Sequence, residues 1–338
     1  MKIIFIISIF FQSNICYGYT TSQENRIDEM KEHFYQQHLT PDASITAFIH
    51  LIYQKYIEEG IIDSRGNING INEGLIFIRY DSGQIMIEGY NMAGTPHGLH
   101  RVWDETGQIL FEGIYDNGEL EGKVITWHEN GKMSGTTNFT SGMADGVIYN
   151  WHENGQLSNE AEFKNGKEHG ITKSWYENGQ LWIECSYKSG LLHGVLKNWY
   201  KNGQLWVESY YGNDSLNGII RNWNEDGLLL VESHFNNGKE SGLYKSWYVS
   251  GQLWIIKNYV DNQLNEQVIS WYENGNLQSD GNYKDGKENG LYKEWYENGQ
   301  IKMKYEFKDG IEDGIWEQYK QDGSIEKKMT YNNGELIK

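Results

Sequence analysis

The chain contains little proline, cysteine and basic charge. It has 2 Pro and 2 Cys among 338 residues, and its 29 Lys and Arg stand against 47 Asp and Glu, a formal net charge of −18. Nucleic acids and anionic membranes bind through cations that neutralise phosphates, so we expect neither nucleic-acid binding nor direct lipid binding. This composition favours a basic protein partner. The alternative is an acidic surface that only keeps the protein soluble.

Long apolar segments are also scarce. The N-terminus reads MKIIFIISIFFQSNICYG, in which one lysine precedes a short apolar run and small residues follow it. This order is typical of a signal peptide, and the run is too short for a permanent membrane anchor. We expect cleavage of residues 1–18 and export to the periplasm, the cell surface or the medium. The alternative is a buried apolar N-terminus. Cleavage would leave Cys185 as the single cysteine, which excludes an internal disulfide.

Residues 19–73 form a second region, predicted to be a helical cap and linker. The segments ENRIDEMKEHFYQQH and TPDASITAFIHLIYQKYIEEG have the apolar spacing of helices. Thr40 and Pro41 are typical of a helix start. We expect two short helices to cover the first strand edge of the following region, because an open edge invites pairing with another chain. A separate recognition element is the alternative.

The rest of the chain, residues 74–338, repeats a unit of 24 residues. A tryptophan recurs at this interval, and a glycine follows each one four residues later. The tryptophans are Trp103, Trp127, Trp151, Trp175, Trp199, Trp223, Trp247, Trp271 and Trp295. Counting from Gly74 gives about eleven units. Fixed periods of this length indicate a stacked array, in which each unit depends on its neighbours for stability.

Each unit has the local chemistry of a β-hairpin. The stretch SWYENGQLWIE places Asn-Gly between two runs of aromatic and branched residues. A two-residue loop would pair Trp175 with Trp182, whereas a three-residue loop over residues 177–179 would pair Trp175 with Leu181. We favour the second. Hairpins of equal length joined in series predict an all-β fold, an elongated antiparallel meander with a small N-terminal helical cap.

The three-residue loop also assigns side chains to the two faces of the sheet. The predicted apolar face contains Ile171, Trp175, Leu181, Ile183, Cys185 and Tyr187. The predicted opposite face contains Ser174, Tyr176, Gln180, Trp182 and Glu184. Lys173 falls on the apolar face, and nothing in the sequence explains its presence there.

These units resemble the MORN repeat (membrane occupation and recognition nexus), in the variant form found in bacterial YwqK-family antitoxins. Units such as GITKSWYENGQLWIECSYKSG show the resemblance, which covers about residues 74–338. It implies a repeat scaffold that binds proteins, and the antitoxin label implies neutralisation of a partner by binding. An exported member would fit an immunity protein or an envelope scaffold better than a cytoplasmic antitoxin.

Aromatic and acidic columns form the candidate partner-binding surface. These residues are Tyr176, Tyr200, Tyr248, Tyr272 and Tyr296, then Trp182, Trp206 and Trp254, with Glu184, Glu208 and Glu232 beside them. Tyrosine and tryptophan provide rigid contact area at low entropic cost. The alternative is that these rings only shield one another along the sheet.

Signs of catalysis or of a cofactor are lacking. His128 and His152 both occur in WHENG, but equivalent residues in adjacent units lie about 10 Å apart, too far to share a zinc ion. Cys185 has the surroundings of a small core residue. We therefore expect no enzyme activity, no metal and no cofactor. The first functional hypothesis is an antitoxin-like or immunity-like binding scaffold for a basic partner, and the second is an envelope or adhesive scaffold that self-associates.

Overall fold

The computed structural model describes residues 73–337 of the chain. This part contains thirty-one β-strands and no helix. All of the strands belong to one sheet, and every pair of neighbours is antiparallel. The predicted all-β antiparallel meander is therefore confirmed for these residues. The predicted signal peptide and the two N-terminal helices lie outside the described residues.

The first six strands are long, and from β6 onward a strand of eight residues, a strand of two and a strand of six recur in that order. In chain order they are β1 Gly74–Arg79, β2 Ile85–Met92, β3 Thr95–Trp103, β4 Ile109–Asp116, β5 Glu119–Trp127, β6 Met133–Thr140, β7 Met143–Ala144, β8 Gly146–Trp151, β9 Leu157–Lys164, β10 Lys167–Glu168, β11 Gly170–Trp175, β12 Leu181–Lys188, β13 Leu191–Leu192, β14 Gly194–Trp199, β15 Leu205–Gly212, β16 Ser215–Leu216, β17 Gly218–Trp223, β18 Leu229–Asn236, β19 Lys239–Glu240, β20 Gly242–Trp247, β21 Leu253–Val260, β22 Gln263–Leu264, β23 Glu266–Trp271, β24 Leu277–Lys284, β25 Lys287–Glu288, β26 Gly290–Trp295, β27 Ile301–Lys308, β28 Ile311–Glu312, β29 Gly314–Tyr319, β30 Ile325–Asn332 and β31 Glu335–Leu336.

The first turn of each repeat is the predicted three-residue loop. Trp175 pairs with Leu181. The amide of Tyr176 donates to the carbonyl of Gln180 at 2.9 Å, and the amide of Gly179 donates to the carbonyl of Tyr176 at 2.8 Å. Gly179 has φ of +82°. A type I turn closed by a left-handed glycine is the usual form of this loop, and the glycine is needed because it has no Cβ.

The second turn of each repeat has two residues with positive φ. Between β12 and β13 these are Ser189, with φ of 56°, and Gly190, with φ of 83°. Positive φ at both positions gives a turn whose twist matches the flanking strands. The amide of Gly190 also donates to the carbonyl of Glu168 in the preceding repeat at 2.8 Å. The second turn thus links adjacent repeats.

The strand register corrects four of the predicted face assignments. Ile171 pairs with Ser186, and Lys173 pairs with Glu184, whereas Ser174 pairs with Ile183. Paired residues share a face and successive residues of β11 alternate, so Ile171 and Trp175, with its partner Leu181, lie opposite the buried side, and Ser174 lies on it. The prediction reversed these residues because a bulge opposite the end of β11 shifts the register by one residue. The same shift explains Lys173, which lies on the exposed side.

We call the two sides of the sheet the inner face, with Ile183, Cys185 and Tyr187, and the outer face, with Ile171, Lys173 and Glu184. All three of the inner-face residues are buried, as predicted. The core thus lies along one side of a single sheet.

Candidate functional site

The predicted tyrosine column lies at the first-turn edge of the sheet, and its hydroxyl groups link adjacent repeats. Each hydroxyl donates to the backbone carbonyl that lies 23 residues later, in the next repeat. The bonds are Tyr176 to Trp199 at 2.9 Å, Tyr200 to Trp223 at 3.0 Å, Tyr248 to Trp271 at 3.0 Å, Tyr272 to Trp295 at 2.8 Å and Tyr296 to Tyr319 at 2.8 Å. These hydroxyl groups therefore donate their hydrogen bonds within the array. We call this series the tyrosine ladder.

Two histidines take the place of tyrosine in the same ladder. Nε2 of His128 lies 2.7 Å from the carbonyl oxygen of Trp151, and Nε2 of His152 lies 2.8 Å from that of Trp175. A carbonyl oxygen only accepts, so Nε2 bears the proton in both rings. The repeat therefore accounts for the two WHENG motifs. Within residues 73–337, no three His, Cys, Asp or Glu side chains are grouped to hold a metal ion.

The predicted tryptophan column packs against the tyrosine ladder. The ring centroids are 5.6 Å apart for Tyr176 and Trp182, and 5.4 Å apart for Tyr200 and Trp206. Tyr248 and Trp254 form the same pair at 6.1 Å. One ring of each pair thus supports the other, and both rings remain partly exposed at the edge of the sheet.

The predicted acidic column lies on the outer face, where basic side chains neutralise it. Lys173 lies 3.5 Å from Glu184, measured from Nζ to the carboxylate. The guanidinium of Arg221 lies between Glu208, at 3.6 Å, and Glu232, at 2.8 Å. Such partly exposed pairs contribute about 0–1 kcal/mol each to stability. The three glutamates belong to a row of alternating charge and are not a free acidic surface.

Sequence reasoning missed a row of exposed apolar side chains on the outer face. Ile171 is 54% exposed and Ile114 is 47% exposed. The row consists of Leu75, Leu99, Ile114, Val147, Ile171, Val195, Tyr210, Leu291 and Ile315. The signal was present in the sequence, because pairing Lys173 with Glu184 places Ile171 on the same side as both charges.

The first turns also present glutamates at their tips. These side chains are exposed, and no ion pair involves them in the part of the chain that the structure describes. They are Glu105, Glu129, Glu153, Glu177, Glu225, Glu273 and Glu297. Successive turns lie two strands apart, about 10 Å. The first-turn edge therefore combines aromatic rings with a row of unpaired carboxylates, which is interrupted at Lys201 and Val249.

The inner face contains the most strongly perturbed titratable groups. Burial, reinforced by the carboxylate of Asp214, raises the pKa of Glu168 to about 7. Burial also raises the pKa of the Cys185 thiol to about 12, and the side chain has no exposed surface. A nucleophilic cysteine needs a lowered pKa and access to substrate, and Cys185 has neither. Cys185 therefore serves as a small core residue.

Membrane-spanning helices are not found in residues 73–337, where no helix has the length and apolar character to cross a bilayer. No curated protein matches the chain in sequence. The Tc holotoxin pore of Photorhabdus luminescens is a solved structure with 12% identity and a TM-score of 0.18, and the alignment covers 77% of this chain and 16% of that one. The TcdB2–TccC3 complex has 11% identity and a TM-score of 0.16, with 77% and 19% covered. The chain thus spans less than a fifth of the length of either, and neither similarity supports a functional argument.

Sequence similarity to a repeat family agrees with the strand pattern. The MORN repeat variant matches residues 96–117, 120–140, 144–165, 168–189, 192–213, 267–285, 288–309 and 312–333. These segments make up about half of the chain, and each one covers a pair of long strands with the first turn between them, as 168–189 covers β11 and β12. The chain therefore belongs to the MORN repeat variant family.

Proposed function

We propose that this protein is a non-enzymatic scaffold that binds a basic protein partner, in the manner of an antitoxin or immunity protein of the YwqK type. The supporting observation is that the outer face exposes aliphatic side chains such as Ile171 and Val195, while the first-turn edge of the same sheet presents unpaired turn glutamates such as Glu177. An apolar patch with a charged rim is typical of a protein interaction site. The unpaired carboxylates favour a partner of positive charge.

The same proposal assigns the chain to the outside of the cytoplasmic membrane. In this proposal, about eleven units from Gly74 onward form an elongated array, and a helical cap precedes them. Residues 1–18 are removed on export. An immunity protein in that location would meet its partner after the partner had been secreted. The absence of an accessible nucleophile at Cys185 supports a binding role.

Surface plasmon resonance on a protein that copurifies with residues 19–338 tests the proposal. Ile171→Ser combined with Val195→Ser should weaken binding about tenfold through faster dissociation, because apolar contacts act after encounter. Glu153→Gln combined with Glu177→Gln should slow association and reduce its salt dependence.

The matched control is Glu184→Gln combined with Glu208→Gln. These carboxylates are ion-paired, so their removal should change association less than removal of the turn glutamates. Equal binding by all three variants would exclude the outer face as the docking surface. Failure of any protein to copurify specifically would count against a neutralising scaffold.

A second candidate function is an envelope scaffold that self-associates through the same aliphatic row. Leu75, which is 65% exposed, and Phe77, which is 47% exposed, extend the outer face at the first strand of the sheet. Light scattering after gel filtration should then show oligomers whose mass rises with concentration. A monomer at all concentrations would reject this candidate.

A further inference from the structure

Side chains in the first turns couple adjacent repeats through two parallel ladders. The first is the tyrosine ladder, which also includes Tyr80, His128 and His152. The second, which we call the asparagine ladder, runs from the side-chain amides of five turn asparagines to backbone carbonyls in the next repeat. Its bonds join Asn130 to Glu153, Asn154 to Glu177, Asn178 to Lys201, Asn202 to Glu225 and Asn274 to Glu297, at 2.7–3.2 Å.

Both ladders are interrupted at the junction between Trp223 and Trp247. Asn224 replaces the tyrosine, and its Oδ1 accepts from the amides of Asp226 at 3.1 Å and Leu228 at 2.8 Å within its own turn. Asp226 replaces the asparagine, and a carboxylate has no proton to donate to the next carbonyl. Neither position therefore supplies the donor that the junctions from Trp127 to Trp223 have.

The junction between Trp103 and Trp127 lacks both ladders in the same way. Asp104 occupies the tyrosine position, and its Oδ1 accepts from the amides of Thr106 and Gln108, both at 2.9 Å. Thr106 occupies the asparagine position and donates its hydroxyl to Asp104. Both side chains thus bond within their own turn.

The repeats between these junctions form an uninterrupted block. Every junction from Trp127 to Trp223 has a bond of the tyrosine ladder and a bond of the asparagine ladder. Strand pairing continues across the interrupted junctions, for example Val231 with Ser246. The interruptions therefore remove side-chain coupling at the first-turn edge only. Side-chain bonds nearer the second turn still cross both junctions: the amide of Glu240 donates to Asn262 at 2.7 Å, and the amide of Ser141 donates to Glu121 at 2.8 Å.

We propose that the two interrupted junctions are flexible joints that divide the array into three blocks. In a repeat array each unit contacts only its neighbours, so the weakest interface decides where the array opens first. The two hydrogen bonds missing from the first-turn edge make local opening of that edge about tenfold more frequent than at a junction with both ladder bonds. Small rotations at the joints would let the outer faces of the blocks adjust to a partner surface.

Hydrogen exchange of the full chain, followed by mass spectrometry, tests the proposal. Amides of β20 at the joint should exchange about tenfold faster than those of β14 inside the central block. The variant Asn224→Tyr with Asp226→Asn reproduces the pair Tyr200 and Asn202, and should slow exchange in β20 about tenfold.

The matched control, Tyr200→Asn with Asn202→Asp, removes both bonds at a coupled junction. It should create a new joint and accelerate exchange in β17 about tenfold, with β11 unchanged. Equal exchange of β14 and β20 in the unmodified protein would overturn the proposal. Unchanged exchange of β17 in the control variant would also overturn the proposal. This second measurement still decides the question if the first variant fails to fold.

Discussion

The middle of the array and its C-terminal end are built from the same repeat but bury their inner faces differently. In the middle, a large side chain lies opposite a small one, as Ile148 opposite Ala161, and each is only 1% exposed. Near the C-terminus, Tyr292 lies opposite Tyr305 and Trp316 opposite Met329. After Gly281, no residue that the structure describes is buried.

The difference shows that the size of the facing side chains and the number of flanking repeats together set burial in a single sheet. A small partner leaves room for neighbouring side chains to cover the large one. Two large partners are both buried where repeats flank them on each side, as Val102 and Phe111 are, whereas the large C-terminal rings pack on one another. The centroids of Tyr305 and Trp316 are 4.6 Å apart, and those of Trp316 and Tyr331 are 5.1 Å apart. Neighbours on both sides add to the burial of the middle repeats.

The largest expected effect comes from truncating a large inner-face side chain in each of the two regions. Ile148→Ala removes a side chain that is 1% exposed and should lower the free energy of unfolding by about 3 kcal/mol. Met329→Ala removes one that lies opposite Trp316 and is only half-buried, and it should cost about 1 kcal/mol. Urea unfolding measures both. Equal losses would mean that burial does not distinguish the two regions.

The next effect is pH-dependent and specific to the middle region. The pKa of Glu168 is raised from 4.5 to about 7, so the native protein keeps a proton that the unfolded chain has lost between these values. Stability should therefore fall as pH rises from about 4.5 to 7, by about 1–2 kcal/mol once partial solvent exposure is allowed for.

Replacing the carboxyl group of Glu168 tests the direction of this pH dependence. Glu168→Gln should match the unmodified protein near pH 4 and exceed its stability near pH 8, since the amide stays neutral. Thermal unfolding across this range measures the effect, with Glu177→Gln at an exposed turn tip as the control. A variant that is less stable at pH 8 would contradict the assigned cause.

A smaller effect is expected from the tyrosine ladder. Tyr200→Phe keeps the ring against Trp206 but removes the bond to the carbonyl of Trp223, which should cost about 1 kcal/mol. Tyr210→Phe is the control, because Tyr210 is 44% exposed on the outer face. Chemical denaturation should separate the two variants, and identical midpoints would show that the ladder bond adds no net stability.

The smallest effect is a gain near the C-terminal side of the array. Glu266 has φ of 65° at a position where the neighbouring repeats have Gly242 and Gly290, with φ of 112° and 101°. An L-residue with positive φ is strained, so Glu266→Gly should stabilise the protein by about 0.5 kcal/mol. The loss of the bond from Asn258 to Glu266 at 3.0 Å opposes this gain. A lowered melting temperature would show that this bond outweighs the strain.

The hairpin and its loop could be predicted because they depend on adjacent residues. Asn178 and Gly179 supply the turn geometry within one loop, and their spacing from Trp175 sets the pairing with Leu181. The side of the sheet on which each residue lies was harder to predict, because a bulge moves every side chain beyond it to the other side. Ile171, Ser174, Trp175 and Leu181 were assigned wrongly for this reason.

The candidate site could be predicted only as a set of residue types. The sequence indicated that Tyr176, Trp182 and Glu184 recur together, and the structure places them near the first-turn edge. It could not indicate that the hydroxyl of Tyr176 bonds to the carbonyl of Trp199 or that Lys173 neutralises Glu184. Both contacts depend on how strands pair after the bulge.

The sequence by itself determined the period of 24 residues, the hairpin unit and the three-residue turn, because turn chemistry acts over a few neighbouring residues. Only the tertiary structure decided which side of the sheet is buried and which repeats are coupled by both ladders. Those properties arise between units, where strand pairing brings Asn178 to Lys201 and leaves Asn224 bonded within its own turn. Contacts between units depend on the register of the whole sheet, which no single repeat contains.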